Sequence, residues 1–250
     1  RDFSVALCDA KGRLIAQGFV PYRDFFAAHP PLVPLFGTLT YLLFGDALAP
    51  ARALYSVVVL ALALPVAFVV RRHTSSAAAG SLAFATYAAG MLAVANMGRT
   101  VRLEPLMAGL LVMAFSLTLA RGSSIRWRIL VGGLMALALL AKLTAVIPIA
   151  LFAAFELFEA RRNPASLVRP WGAQLLGALV ILVPALGYLL TVPGFIDDVW
   201  TLQSTRPPLT LGLRLSYFAN NLIRFPPLAA GLLAAAYYLW RPPGREVRAF

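Results

Sequence analysis

Charge is the scarcest commodity in this chain of 250 residues: Asp, Glu, Lys and Arg together make up 13% of it, against 60% hydrophobic residues. Soluble domains carry about a quarter charged residues, so a surface covered by water is excluded. Cysteine is nearly absent as well. Cys8 stands alone, which rules out an intramolecular disulfide framework, and with only His29 and His73 for imidazoles there is no Cys/His spacing for structural zinc. Residues 1–26 lack a long apolar run, so no cleavable signal peptide is visible there. No internal repeat and no low-complexity linker interrupts the chain.

What fills the sequence instead is apolar segments, at about 31–44, 51–70, 77–98, 103–120, 129–158, 171–192 and 227–240. Several are long enough to cross most or all of the roughly 30 Å of membrane hydrocarbon as helix. The pattern predicts an all-α, polytopic transmembrane helix bundle. Two segments are irregular. Residues 31–44 are too short to cross and read as a helix lying in or dipping into one interface. Residues 129–158 are too long for one span and carry Lys142 mid-way with Pro148 six residues later, which predicts a break near Lys142 and two helical arms.

The formal net charge of +12 does not point to nucleic acid, because the basic residues are scattered between apolar spans. They recur after alternate passes, at Arg71 and Arg72, at Arg121, Arg126 and Arg128, at Arg161, Arg162 and Arg169, and at Arg241, Arg245 and Arg248. Cytoplasmic loops accumulate such residues, so these are assigned inside. Asp2, Asp9, Asp24, Asp46, Glu104, Asp197 and Asp198, seven of the ten acidic residues, then fall outside. This assignment requires that 31–44 does not cross and that 129–158 returns to the side it left. Trp127, Trp171, Trp200 and Trp240 sit at or near the expected interfaces, as an aromatic belt would.

The segment Asp2 to Leu32 places carboxylates, a histidine and a Pro-Pro turn directly before an apolar helix. Its run Gly18-Phe-Val-Pro-Tyr-Arg-Asp-Phe-Phe-Ala-Ala-His-Pro-Pro-Leu32 resembles the first outer loop of the GT-C fold glycosyltransferases, in the pattern of the dolichyl-phosphate-mannose protein mannosyltransferases and the lipid A aminoarabinose transferases. Phe44-Gly45 with Ala51-Arg52-Ala53-Leu54, then Arg102-Leu103-Glu104-Pro105-Leu106, then Gly132-Gly133 through Lys142-Leu-Thr144 resemble further motifs of that family in order. The resemblance runs from about residue 2 to 160.

It implies a sugar transferred from a polyprenyl-phosphate donor of the undecaprenyl or dolichyl type to an acceptor hydroxyl on the outer side of a membrane, with inversion. The family opens its first outer loop with Asp-Glu, whose aspartate is the catalytic base. Here Asp2 takes that place with Phe3 following it, and Asp9 is the rival. Such a donor has its leaving group at the membrane surface, so a carboxylate must accept the acceptor's proton and cations must meet the phosphate. The candidates for the cations are Arg52, Arg99, Arg102 and Lys142, with Glu104 as a further catalytic carboxylate and Asp24 and His29 as loop-motif residues. Each has a plainer reading. Asp9 fits the polar face of an interfacial helix, Glu104 favours a helix N-terminus, Lys142 could snorkel, and His29 before Pro30 orders a turn.

No cofactor is expected; Asp197-Asp198 resembles a metal pair, but adjacent loop carboxylates are usually just solvated. The expected partners are the polyprenyl-linked sugar, membrane lipids and an acceptor that is lipid, glycan or protein, and the expected location is a cell membrane such as the bacterial inner membrane. Residues 1–50 are expected to form an outer loop with interfacial helices and the catalytic motif, and 51–250 a transmembrane domain. The chain reads as a piece lacking the family's first span and C-terminal part. Two other functions stay open. A multi-span transporter or flippase would bury charge near the midplane, often in paired repeats, whereas the acidic residues here gather outside. A non-catalytic scaffold is kept open by Asp-Phe in place of Asp-Glu.

Overall fold

The computed structural model describes residues 3–93, 103–121 and 124–201, with Thr205, Thr210, Gly212, Leu213 and Ser216 beyond them. Among the described residues the chain is helical without a β-strand, as the apolar segments predict. The helices are α1 (Phe3–Ala16), α2 (Leu32–Phe44), α3 (Leu48–Ala61), α4 (Leu64–Thr74), α5 (Ala77–Ala93), α6 (Leu103–Arg121), α7 (Ile125–Ala141), α8 (Val146–Glu159) and α9 (Val168–Thr191). Among the described residues three stretches are long and apolar enough to cross a membrane, Leu48–Thr74, Leu103–Ala120 and Pro164–Thr191. The apolar segment at 227–240 lies outside the described residues.

Proline explains where the long segments divide. A proline ring collides with the carbonyl four residues before it, so a helix tolerates proline only in its first turn unless the lost bond is replaced. Pro65 forces a turn at Leu62 and Ala63, and α4 restarts with that proline near its N-terminus. Pro148 does the same further on. The chain leaves α7 at Lys142, whose backbone is extended (φ −159°, ψ 126°), makes a single 3₁₀ turn over Leu143–Ala145, and enters α8 with Pro148 in the first turn.

Side-chain contacts trace the direction of each pass. Lys142 at the end of α7 meets Glu104 at the start of α6, so these two run antiparallel. Arg72 Nη1 donates to the Ala120 carbonyl (2.7 Å), placing the ends of α4 and α6 together. Arg128 at the start of α7 pairs with Glu156 near the end of α8 (2.5 Å), and Trp171 Nε1 donates to the same carboxylate (3.1 Å). The segment 129–158 therefore does return to the end it left. The bundle has an arginine end, with Arg72, Arg128, Glu156 and Trp171, and a loop end, with Glu104, Lys142, the connection after α1 and the chain after α9. α2 starts and finishes at the loop end, with Asp46 just beyond it paired to Arg13 of α1 (3.2 Å).

The core gathers Val33, Tyr55, Val59, Leu106, Leu110, Val131 and Leu134 from α2, α3, α6 and α7. Outward faces are apolar too: Ile147, Leu151 and Phe158 on α8, and Leu175, Leu179 and Val183 on α9, are all exposed. Lipid covers such faces, and since hydrocarbon offers helices no hydrophobic drive to associate, close packing through small residues must hold them together. α7 and α9 meet in that way. A Cβ on Gly132 would overlap the backbone of Gln174, and one on Gly177 would overlap the backbone of Ile129.

That geometry sets a contrast between neighbouring glycines. Gly132→Ala and Gly177→Ala force the helices apart and should each cost about 1–3 kcal/mol, the usual cost of overpacking. Gly133→Ala should be neutral or slightly stabilising, because its new Cβ finds its nearest atom at 3.8 Å. Thermal unfolding of the three variants in detergent, followed by size-exclusion chromatography, checks the order; equal melting temperatures for Gly132→Ala and Gly133→Ala would contradict this packing.

Candidate functional site

The connection between α1 and α2 is folded on itself. Val20 N–H donates to Asp24 Oδ2 (2.7 Å) while Asp24 N–H donates back to the Val20 carbonyl (2.9 Å), closing a tight turn. Arg23 grips the same carboxylate with Nε (2.8 Å) and Nη2 (2.9 Å). These bonds, the Arg23 guanidinium first and the Val20 N–H second, hold the Asp24 carboxyl down at about 2. Asp24 is thus committed to the turn as an anion, with its charge already matched.

Tyr22 faces the other way. It is buried, adopts a left-handed backbone (φ 70°), and donates its hydroxyl to the His29 carbonyl (2.9 Å). Burial, with the negative charge of Asp198 second, raises its phenol well above the usual tyrosine range, so the hydroxyl keeps the proton it donates. The Tyr22 ring packs edge-on against Phe195 at 5.0 Å. Gly194 makes that approach possible. Its φ of 85° suits glycine, and a Cβ there would stand 2.5 Å from the Tyr22 carbonyl.

The clasp is completed by Asp198, whose Oδ2 accepts from Ala27 N–H (2.9 Å) across 171 residues of sequence. Asp198 begins to explain itself here: it lies in a short π-helical turn, Asp197–Thr201, aimed at the loop. Asp197 instead accepts a long bond from Thr201 Oγ1 (3.4 Å). The neighbouring carboxylates serve separate partners, and among the described residues no three of His, Cys, Asp and Glu gather as a metal site would need.

Behind the clasp lies an apolar cleft of about 370 Å³, lined by Ile15, Val20, Pro31, Leu32, Leu35, Leu140, Tyr188 and Leu189. Two residues past Leu140, Lys142 Nζ reaches Glu104 Oε1 at 2.5 Å, with the lysine side chain 25% and the glutamate 53% exposed. The structure therefore brings together two of the site residues expected from sequence, Glu104 and Lys142, at the end of the bundle that carries Asp24 and His29. Arg52, the fifth residue of α3, has a buried Nε with no hydrogen-bond partner among the described residues. Asp2, Arg99 and Arg102 lie outside the described residues, and of Asp9 only the backbone, in α1, is described.

Sequence reasoning passed over Tyr22, Gly194 and the positioning role of Asp198. Tyr22 and Gly194 carry local marks of special backbone, but what they touch is 170 residues away. Removing the Asp198 acceptor leaves the N–H of Ala27, a residue 1% exposed, without a partner. Asp198→Ala should therefore lose about 1–3 kcal/mol of stability and open residues 17–31 to limited proteolysis, with Asp198→Asn milder because an amide oxygen still accepts. Unchanged melting and cleavage in Asp198→Ala would mean the clasp does not hold the loop.

No curated protein and no solved structure matches the chain. A family model does, that of the dolichyl-phosphate-mannose-protein mannosyltransferases, over residues 28–188. The match takes in His29, Arg52, Glu104 and Lys142 together with helices α2 to α8 and most of α9, and it leaves Asp2, Asp9 and Asp24 before its start. Covering more than half of an all-α membrane chain whose loop-end residues were picked out by the same resemblance, it establishes that the chain belongs to the dolichyl-phosphate-mannose-protein mannosyltransferase family and is a membrane glycosyltransferase of the GT-C type.

Proposed function

We propose that the protein transfers a sugar from a polyprenyl phosphate to an acceptor hydroxyl at the outer surface of a cell membrane, such as the bacterial inner membrane, which it crosses several times. One observation carries the reading: the loop clasp, an apolar cleft of about 370 Å³ and the Glu104–Lys142 pair share one end of the bundle. The cleft suits the first isoprene units of the donor. Its neighbour Lys142 suits the phosphate, whose charge grows as the sugar departs.

In this reading the acceptor oxygen attacks the anomeric carbon from the face opposite the phosphate, so the configuration inverts and polyprenyl phosphate leaves. A carboxylate takes the hydroxyl proton during attack, a contribution of about 100 to 10,000-fold. Asp2 is our choice for that base and Asp9 the rival. Lys142, with Arg52, Arg99 and Arg102, meets the phosphate. Asp24 is less suited to proton transfer, since a carboxyl held at about 2 by Arg23 is a weak base.

Transfer of radiolabelled sugar from a panel of polyprenyl-phosphate donors by the full-length protein tests the activity. Asp2→Asn should lose turnover by about 100-fold or more while keeping donor binding, because the amide cannot take the proton. A dead Asp9→Asn beside an active Asp2→Asn would move the base to Asp9, and two active variants would end the mechanism. Sidedness has its own test. In intact cells an impermeant thiol reagent should label Asp197→Cys and spare Arg126→Cys in a Cys8→Ser background; the reverse pattern would put the loop end inside.

A further inference from the structure

We propose that Glu104 is the resting counter-ion of Lys142, and that the phosphate of an arriving polyprenyl phosphate displaces it. The inference rests on Lys142 as a phosphate-binding cation and adds a role for Glu104 distinct from that of a base. Lys142 emerges where α7 ends, at the negative pole of that helix and within an apolar stretch of sequence. A cation there needs an anion at all times. Before the donor arrives, Glu104 Oε1 at 2.5 Å is that anion.

Three features make the pairing exchangeable. Glu104 is 53% exposed and Lys142 25%, so the pair lies open at the end of the bundle, within reach of an arriving anion. Glu104 sits in the first turn of α6, where the positive helix pole favours its carboxylate whether or not Lys142 is attached. A released Glu104 is therefore not stranded. Leu140, which lines the cleft, stands two residues before Lys142, so an isoprenoid chain lying in it would bring its phosphate toward the ammonium, with one negative charge on the sugar-bearing diester and more once the sugar has departed. Arg128–Glu156, by contrast, has side chains only 8% and 9% exposed and offers no such exchange.

Titration of a polyprenyl monophosphate into the full chain in detergent, by calorimetry, separates the possibilities. With its competitor removed, Glu104→Gln should bind up to about five-fold tighter, the most a partly exposed pair is worth. Lys142→Met should bind about ten-fold weaker or worse, Lys142→Arg should recover part of that loss, and Glu104→Gln/Lys142→Met should match Lys142→Met alone. Inorganic phosphate should bind far more weakly to every variant, because it has nothing for the cleft. Helical content by circular dichroism confirms that each variant is folded.

If Glu104→Gln weakens binding or leaves it unchanged while Lys142→Met weakens it, the counter-ion role is wrong and the phosphate reading of Lys142 stands. If Lys142→Met binds as the parent does, that reading falls and takes the counter-ion with it. Loss of sugar transfer in Glu104→Gln with unaltered phosphate affinity would make Glu104 a catalytic carboxylate instead. Inorganic phosphate binding as tightly as the lipid would remove the cleft from the argument.

Discussion

Pro148 has no N–H to give, and its ring would strike the Thr144 carbonyl, so one straight helix cannot run from Ile125 to Glu159. The chain answers with an extended Lys142 and a single 3₁₀ turn. Much else depends on that interruption. Because the chain reverses there, α8 descends with Phe152 stacked on Phe115 of α6 and brings Glu156 back to Arg128. Because it reverses at a lysine, the one cation in the middle of a long apolar run is delivered to the end of the bundle, next to Glu104, and not left between helices.

The two ends of the bundle are sealed by polar contacts and the middle by packing alone. At the arginine end Arg128, Glu156 and Trp171 form a network with side chains almost out of reach of water. Such a network adds little net stability, but removing one member would leave the other charge buried at a cost of about 3–5 kcal/mol. It therefore fixes which helix ends meet. Between the ends, Gly132 and Gly177 let α7 and α9 approach backbone to backbone, which lipid-exposed helices need in place of a hydrophobic drive. At the loop end the clasp of Tyr22, Gly194, Phe195 and Asp198 ties the first connection to the last described one.

What could be read in the sequence was whatever acts locally. Apolar runs long enough for lipid marked the helices, and Pro148 after Lys142 marked the break, because both follow from the chemistry of a few adjacent residues. Arg128 and Glu156 were visible only as loop charge, 28 residues apart, and nothing in either residue's neighbourhood names the other. Asp198 was read with Asp197 as an ordinary solvated loop carboxylate, and nothing beside it in sequence reveals that it accepts from an N–H 171 residues earlier. Glu104 and Lys142 were both selected as site residues, but as separate agents. Their pairing depends on the hairpin between α6 and α7, and spacing alone does not reveal that hairpin's register.

Two ion pairs that join helices among the described residues contrast in a way that burial explains. Arg128 and Glu156 are removed from water, and their attraction is strengthened by a surrounding of low polarizability; separating them means exposing each charge to hydrocarbon. They serve as a fixed joint. Glu104 and Lys142 are as close, at 2.5 Å, but with one partner 53% exposed at the end of the bundle their association is worth about 1 kcal/mol at most. A pair that weak contributes little to holding α6 against α7, a task the core residues Leu106, Leu110, Val131 and Leu134 already perform. On the proposed reading it neutralises a lysine beside an apolar cleft until a lipid phosphate comes, and a transferase that accepts such a phosphate and releases it again at every turnover needs a partner that lets go.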